Sequence, residues 1–138
     1  QMVQSLLAGH HVAEAMSTNY AVVSAGATLQ DLVDDHILAS GRRSFVVVRG
    51  DELVGLSTLH RIKEFPRDRW AQVAVAEAMI PVEHLRWIKP EAELISAIEQ
   101  MDRDGVNQLP VMRNRHLLGM ISRDDVLSYL RTLQELAA

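Results

Sequence analysis

The pentapeptide Val12-Ala13-Glu14-Ala15-Met16 recurs letter for letter as Val75-Ala76-Glu77-Ala78-Met79, 63 residues further on. A second pair of segments, Leu53-Val54-Gly55-Leu56-Ser57 and Leu117-Leu118-Gly119-Met120-Ile121, is related by an offset of 64. Two distant anchors at nearly one offset mark a duplication, which constrains the fold more than any local pattern does. The 138-residue chain therefore reads as two homologous halves, 12–65 and 75–136. A polar linker, 66–74, contains Pro66-Arg67-Asp68-Arg69, and one extra residue is absorbed between the two anchors. A half of roughly 60 residues is marginal alone because it hides too little of its surface. The halves are expected to share a core or to pack face to face.

Each half carries the same order of elements. After the pentapeptide comes a short extended stretch, Ala21-Val22-Val23 or Arg86-Trp87-Ile88. A helix follows. Leu94, Ala97, Ile98 and Met101 recur at the spacing of one helix face, and Leu29, Leu32, Val33 and Ile37 do similar work in the first half. Thr28 and Asp31 read as a capping box. Gly41 and Gly105 stand where a helix should end, since glycine tolerates the left-handed conformation there. Next comes an apolar strand, Phe45 to Val48 or Leu109 to Met112, then a tight turn. A second strand, Leu53 to Ser57 or Leu117 to Ile121, completes a hairpin. A last helix closes each half, and in the second it carries Val126, Tyr129, Leu130 and Leu133 on one stripe. The expected fold class is α+β, two β-α-β-β-α repeats with pseudo-two-fold symmetry. Ile37, Leu38, Leu133 and Leu136 exceed what one small core must bury, so a homodimer is expected.

Composition narrows the function classes. Hydrophobic residues are 48% and charged residues 23%, so a real core is available and disorder is not expected. Fourteen Lys and Arg against eighteen Asp and Glu give a net charge of −4, which argues against a nucleic-acid partner needing a basic face. Aromatics at 4% leave few platforms for stacking single-stranded bases. With no cysteine there is neither a disulfide framework nor thiolate chemistry. No apolar run approaches the roughly 18 residues of a membrane span, so membrane contact is expected only through a parent protein. The opening Gln1-Met2-Val3-Gln4 lacks the regions of a secretion signal and reads as the start of an excised piece. The six histidines show no metal-ligand spacing. No nucleophile–base pair, paired-carboxylate site or phosphate-cradling glycine loop is legible. Asp34-Asp35 and Asp124-Asp125 are adjacent on helices and point apart. A non-catalytic chain is expected.

The segment Gln108-Leu109-Pro110-Val111, a short turn, and then Leu118-Gly119-Met120-Ile121-Ser122-Arg123-Asp124-Asp125-Val126-Leu127 resembles the signature of cystathionine-β-synthase (CBS) domains. Phe45-Val46-Val47 and Gly55-Leu56-Ser57-Thr58 match it more loosely, so the chain from Val12 onward resembles a tandem CBS pair. The linker, Phe65-Pro66-Arg67-Asp68-Arg69-Trp70, with Val73 and the second pentapeptide, is similar to CBS pairs in the cytosolic tail of site-2-type membrane zinc metalloproteases. The zinc motif of those proteases, His-Glu-x-x-His, is absent from this sequence. The resemblance implies a regulatory piece, cytoplasmic, attached to an effector.

Ser122 and Asp125 are the sharpest candidate pair. A carboxylate in the first turn of a helix can accept from both vicinal hydroxyls of a ribose, and nearby helix-start amides suit phosphate. The same pair also spells a capping box, which needs no ligand. Both roles can coexist. Thr58 stands at the position of Ser122, but Arg61 stands at the position of Asp125. A guanidinium has donors only and cannot accept from ribose hydroxyls. It could instead grip phosphate or be a solvated helix arginine. In CBS pairs basic residues before the central strand often meet phosphates, which makes Arg42 and Arg43 candidates for an anion clamp; a charged loop edge is the plainer reading. Asn107 and Gln108 offer polar groups to a base edge. Leu109-Pro110 and Ile80-Pro81 are candidate walls for an adenine ring, although Pro110 also suits an ordinary strand edge. The resemblance implies an adenine nucleotide or adenosyl ligand (AMP, ADP, ATP or S-adenosylmethionine) in the cleft between the halves. The other reading is a dimerisation and interaction module with no nucleotide.

Overall fold

Apolar runs bounded by turns become the strands, and each half supplies one hairpin. The computed structural model describes residues 2–137. In chain order the elements are α1 (Met2–Leu7), α2 (Val12–Ala15), β1 (Val22–Ser24), α3 (Leu29–Asp31), a π-helical stretch (Leu32–Ile37), α4 (Leu38–Ser40), β2 (Ser44–Arg49), β3 (Glu52–Thr58) and α5 (Leu59–Ile62). There follow a 3-10 turn (Arg67–Arg69), α6 (Val75–Ala78), β4 (Ile80–Pro81), a second 3-10 turn (Val82–His84), α7 (Leu94–Asp104), β5 (Gln108–Arg113), β6 (His116–Ser122) and α8 (Arg123–Ala137).

The chain forms two compact units, and they are offset from the sequence repeats. The central unit is Tyr20–Leu85. The terminal unit combines the residues up to Asn19 with those from Arg86 onward. Each repeated pentapeptide therefore packs with the hairpin of the other repeat. Homology reveals that the pentapeptides are equivalent. It carries no information on which hairpin each one joins.

In the central unit β1 runs parallel to β2, with Val22 opposite Val46 and Val23 opposite Val47. Strand β2 pairs antiparallel with β3, and β3 with β4, giving the order β1-β2-β3-β4. Leu29, Leu32, Phe45, Val47, Ile62, Val73 and Val75 form its core. The segment after the first repeat is built into that core. Trp70 is buried and its indole N–H donates to the Phe65 carbonyl at 3.0 Å. The Arg67 guanidinium lies 5.3 Å over the Trp70 ring. The span expected as a polar linker is thus a packed element of one unit.

The first repeat's main helix is not regular. Between Leu29 and Gly41 there is one residue more than between Leu94 and Gly105. In an unbroken α-helix His36, seven residues after Leu29, would face the core, and Ile37 would be turned away by about 100°. The π turn, in which the Leu38 N–H bonds the Val33 carbonyl, absorbs the extra residue and brings Ile37 inward. His36 instead meets the Phe45 ring edge-on at 5.9 Å. Ile37 is consequently core and unavailable for association, contrary to the sequence expectation. Leu38 and Leu136 are 74% and 78% exposed, while Leu133 is half-buried against the terminal unit's core.

In the terminal unit β5 and β6 pair antiparallel across a turn where Asn114 and Arg115 take φ of 52° and 69°. Both hairpins carry a register shift at equivalent places, between Val47 and Val48 and between Val111 and Met112. The flanking strands of the central unit shrink here to single bridges, Ile88 with Val111 and Ser17 with Met120. Leu7, Val12, Leu94, Ala97, Met101, Leu109, Val111, Ile121 and Val126 form the core. Helices α4 and α7 end on left-handed Gly41 and Gly105, as expected.

Candidate functional site

Strand β6 ends at Ser122 and α8 begins at Arg123, so the hydroxyl sits at the junction of hairpin and helix. The Asp125 N–H donates to Ser122 Oγ at 3.0 Å, and the Ser122 N–H donates to Asp125 Oδ2 at 2.9 Å. The capping box is therefore formed in full. An ionised carboxylate has about four acceptor positions, and the cap uses one. Capping and ribose acceptance are chemically compatible at Asp125.

The neighbouring loop is tied to the same junction. Arg123 Nε donates to Asn107 Oδ1 at 3.2 Å, and Arg123 Nη2 meets Asp102 Oδ1 at 2.6 Å. Gln108 lies opposite Ser122 in the hairpin register. The structure thus gathers Asn107, Gln108, Ser122, Arg123 and Asp125 at one end of the β5–β6 hairpin. Two expectations change. The Asn107 side-chain oxygen is engaged by Arg123. Leu109 is fully buried in the unit's core, so its side chain supports the hairpin from within and does not form a ligand wall. Pro110, on the other face of the strand, is buried as well and opposes Met120.

The other candidates belong to the central unit. The Thr58 hydroxyl caps α5 by accepting from the Arg61 N–H at 3.2 Å. The Arg61 side chain turns back toward the end of α6, where Nε and Nη2 lie 3.5 Å from the carbonyls of Ala78 and Met79. Arg61 Nε is also 3.8 Å from Glu64 Oε1. Arg61 is therefore occupied within its own unit and is not a merely solvated arginine. Arg42 and Arg43 precede β2 at the same end as Thr58, because Ser44 opposes Thr58 and the Arg43 carbonyl accepts from the Leu59 N–H at 2.9 Å. Ile80 and Pro81 form β4 against Leu56 and Gly55.

Two residues at these hairpin ends escaped the sequence reading. Ser17 follows Met16 as Ile80 follows Met79, and it holds the β4-like position beside Met120 in the terminal unit. The 63-residue offset carried that signal. Arg123 had no local signal beyond its place next to Ser122. Among the described residues no group of three His, Asp or Glu is placed to hold a metal ion. No helix there is long and apolar enough to cross a membrane.

Each unit has one antiparallel hairpin, a helix packed against it and a hydroxyl cap where the hairpin passes into the next helix, so the protein is a tandem α+β repeat pair. The CBS domain family matches residues 12–68 and again 75–132, and the chain belongs to that family. The chain is 20% identical over 122 residues to a protein of Synechocystis sp. (strain ATCC 27184 / PCC 6803 / Kazusa) named as a zinc metalloprotease, the match covering 86% of this chain and 32% of that protein. It thus spans about a third of the curated relative's length. The CBS domain of a bacterial CNNM/CorC family Mg2+ transporter, solved in complex with ATP, is similar with a TM-score of 0.81 at 18% identity, covering 94% of this chain and 93% of that one. CBSX2, solved in complex with AMP, is similar with a TM-score of 0.77 at 18% identity, covering 91% and 99%. At such identities the likeness speaks for the fold.

Proposed function

We propose that the chain is a regulatory CBS pair that binds one adenine nucleotide or adenosyl ligand, in the terminal unit, at the Ser122–Asp125 end of its hairpin. The observation that carries this reading is the asymmetry of the two hairpin ends. One presents a carboxylate and a hydroxyl together. The other presents a hydroxyl with a guanidinium that is turned onto its own α6 carbonyls. The carboxylate can accept from both vicinal ribose hydroxyls, and the guanidinium can accept from neither. Solved neighbours in complex with ATP and AMP support an adenine nucleotide as the ligand class. Binding regulates only when it discriminates between two conformations of the chain and what it is attached to. A zinc metalloprotease is the proposed effector, supported by the linker's resemblance to membrane metalloprotease tails and by a relative named as a zinc metalloprotease.

Residue-resolved chemical shifts on adding AMP test the reading. Expected are shifts at Gln108, Ser122, Arg123 and Asp125, with Thr58 and Arg61 unmoved. Equal shifts at both hairpin ends, or none at either, contradict it.

The second reading, an interaction module, is favoured by Leu38 and Leu136, which are largely exposed apolar side chains. Self-association to a homodimer belongs to both readings. Sedimentation at tens of micromolar is expected to give a dimer, and Leu38→Glu or Leu136→Glu to weaken it. A monomer at every concentration contradicts the dimer.

A further inference from the structure

We infer that residues 10–17 form a detachable strap on the terminal unit, fastened by a clamp between Glu14 and Tyr129, whose release opens the β6 edge beside Ser122. The strap begins at the N-terminal end of α7, where the Leu94 N–H donates to the His10 carbonyl at 3.0 Å and the Val12 N–H to the Ala92 carbonyl at 2.8 Å. It ends on β6, where Ser17 and Met120 exchange two backbone bonds of 2.8 and 2.9 Å. Between these ends α2 has only four residues, too few to hold helical form unaided.

The clamp sits at the middle. Tyr129 Oη, on α8, donates to Glu14 Oε1 at 2.8 Å. His10 Nδ1 is 2.9 Å from the same oxygen, and the His11 N–H donates to Oε2 at 2.6 Å. The His10 and Tyr129 rings meet edge-on at 5.5 Å. The His11 imidazole also faces the carboxylate, its Nδ1 3.4 Å from Glu14 Oε2, and the Glu93 backbone bridges that of His11. Hydrogen bonds from His10, the His11 amide and Tyr129 hold the Glu14 carboxyl down to about 2, and the Tyr129 phenol is pushed up in return. A depressed carboxyl stabilises the clamp above its ordinary range, and that contribution is lost as pH falls toward about 2.

The equivalent segment of the central unit is fastened differently. Glu77 keeps the cap to the Ala74 N–H at 2.8 Å, but Phe65 stands where Tyr129 stands in the other repeat and has no hydroxyl. There both Val75 and Ala78 are buried, whereas on the strap Val12 is buried and Ala15 only partly so. Val12 anchors the strap in the core, and the polar clamp stands where Ala15 gives less apolar burial than Ala78 does.

Hydrogen exchange on the 138-residue chain carrying Tyr129→Phe tests this. The Val12, Ser17 and Met120 amides are expected to exchange about threefold to tenfold faster, the effect of losing one ordinary, partly solvated hydrogen bond, with Leu109 and Ile121 unchanged. Glu14→Gln should reproduce the pattern. Unchanged exchange along the strap overturns the inference, and so does an equal rise at Leu109 and Ile121, which would report general loosening. The consequence for ligand access rests on the proposed nucleotide site. A chain that binds no nucleotide yet shows the selective exchange overturns that site and leaves the strap standing.

Discussion

Replacing Asp125 with alanine is expected to weaken adenine-nucleotide binding about tenfold to a hundredfold, the range for losing hydrogen bonds of about 1.5–3 kcal/mol to a charged group. The carboxylate serves two partners in this account. One is the Ser122 N–H at 2.9 Å, and the other is the ribose. The alanine variant therefore also loses the carboxylate half of the capping box, about 0.5–1.5 kcal/mol of stability, while Ser122 Oγ still caps the backbone N–H of residue 125. Thermal unfolding measured beside calorimetric titration separates the two effects. Asp125→Asn is the sharper probe, because it keeps the size and part of the acceptor capacity while removing the charge. Arg61→Ala is expected to leave the affinity unchanged, because Arg61 serves the central unit. A loss of affinity in Arg61→Ala equal to that in Asp125→Ala would contradict the assignment.

Gly119→Val is expected to destabilise the terminal unit by about 1–3 kcal/mol, the cost of forcing bulk into a filled space. A Cβ at Gly119 would lie 2.7 Å from the Ser17 carbonyl oxygen, nearer than real Cβ atoms approach. The obstacle is backbone and cannot swing aside, so the strap must lift or β6 must bend. Gly55 has the same role toward Ile80, whose carbonyl oxygen would be 2.5 Å from an added Cβ. Chemical denaturation of Gly119→Val and Gly55→Val measures both. Wild-type stability in either variant would show that the close approach is dispensable.

Much of the fold was legible because short-range rules govern it. The hairpins follow from apolar runs around Arg49–Glu52 and Arg113–Arg115, and the caps at Thr28–Asp31 and Ser122–Asp125 form as their spacing requires. What stayed hidden depends on distance or on counting. The pentapeptides join the hairpin of the other repeat because of where the chain turns, and no local signal records that. The π turn could be inferred only by aligning Leu29–Gly41 with Leu94–Gly105 and finding one residue over. Arg61 reaches carbonyls 17 and 18 residues away. Leu109 was misjudged because strand alternation sends it into the core, while Pro110 beside it faces the other way. The residue types of the candidate site were legible, and the division of the candidates between two units was not.

The central claim is one adenosyl site per chain, carried by the terminal unit. Calorimetric titration with AMP, ADP, ATP and S-adenosylmethionine, at protein concentrations that detect millimolar binding, tests it most directly. The account predicts saturable heat with at least one of these ligands at one site per chain, weakened by Asp125→Asn. No heat with any of them, or two equal sites per chain, would contradict it.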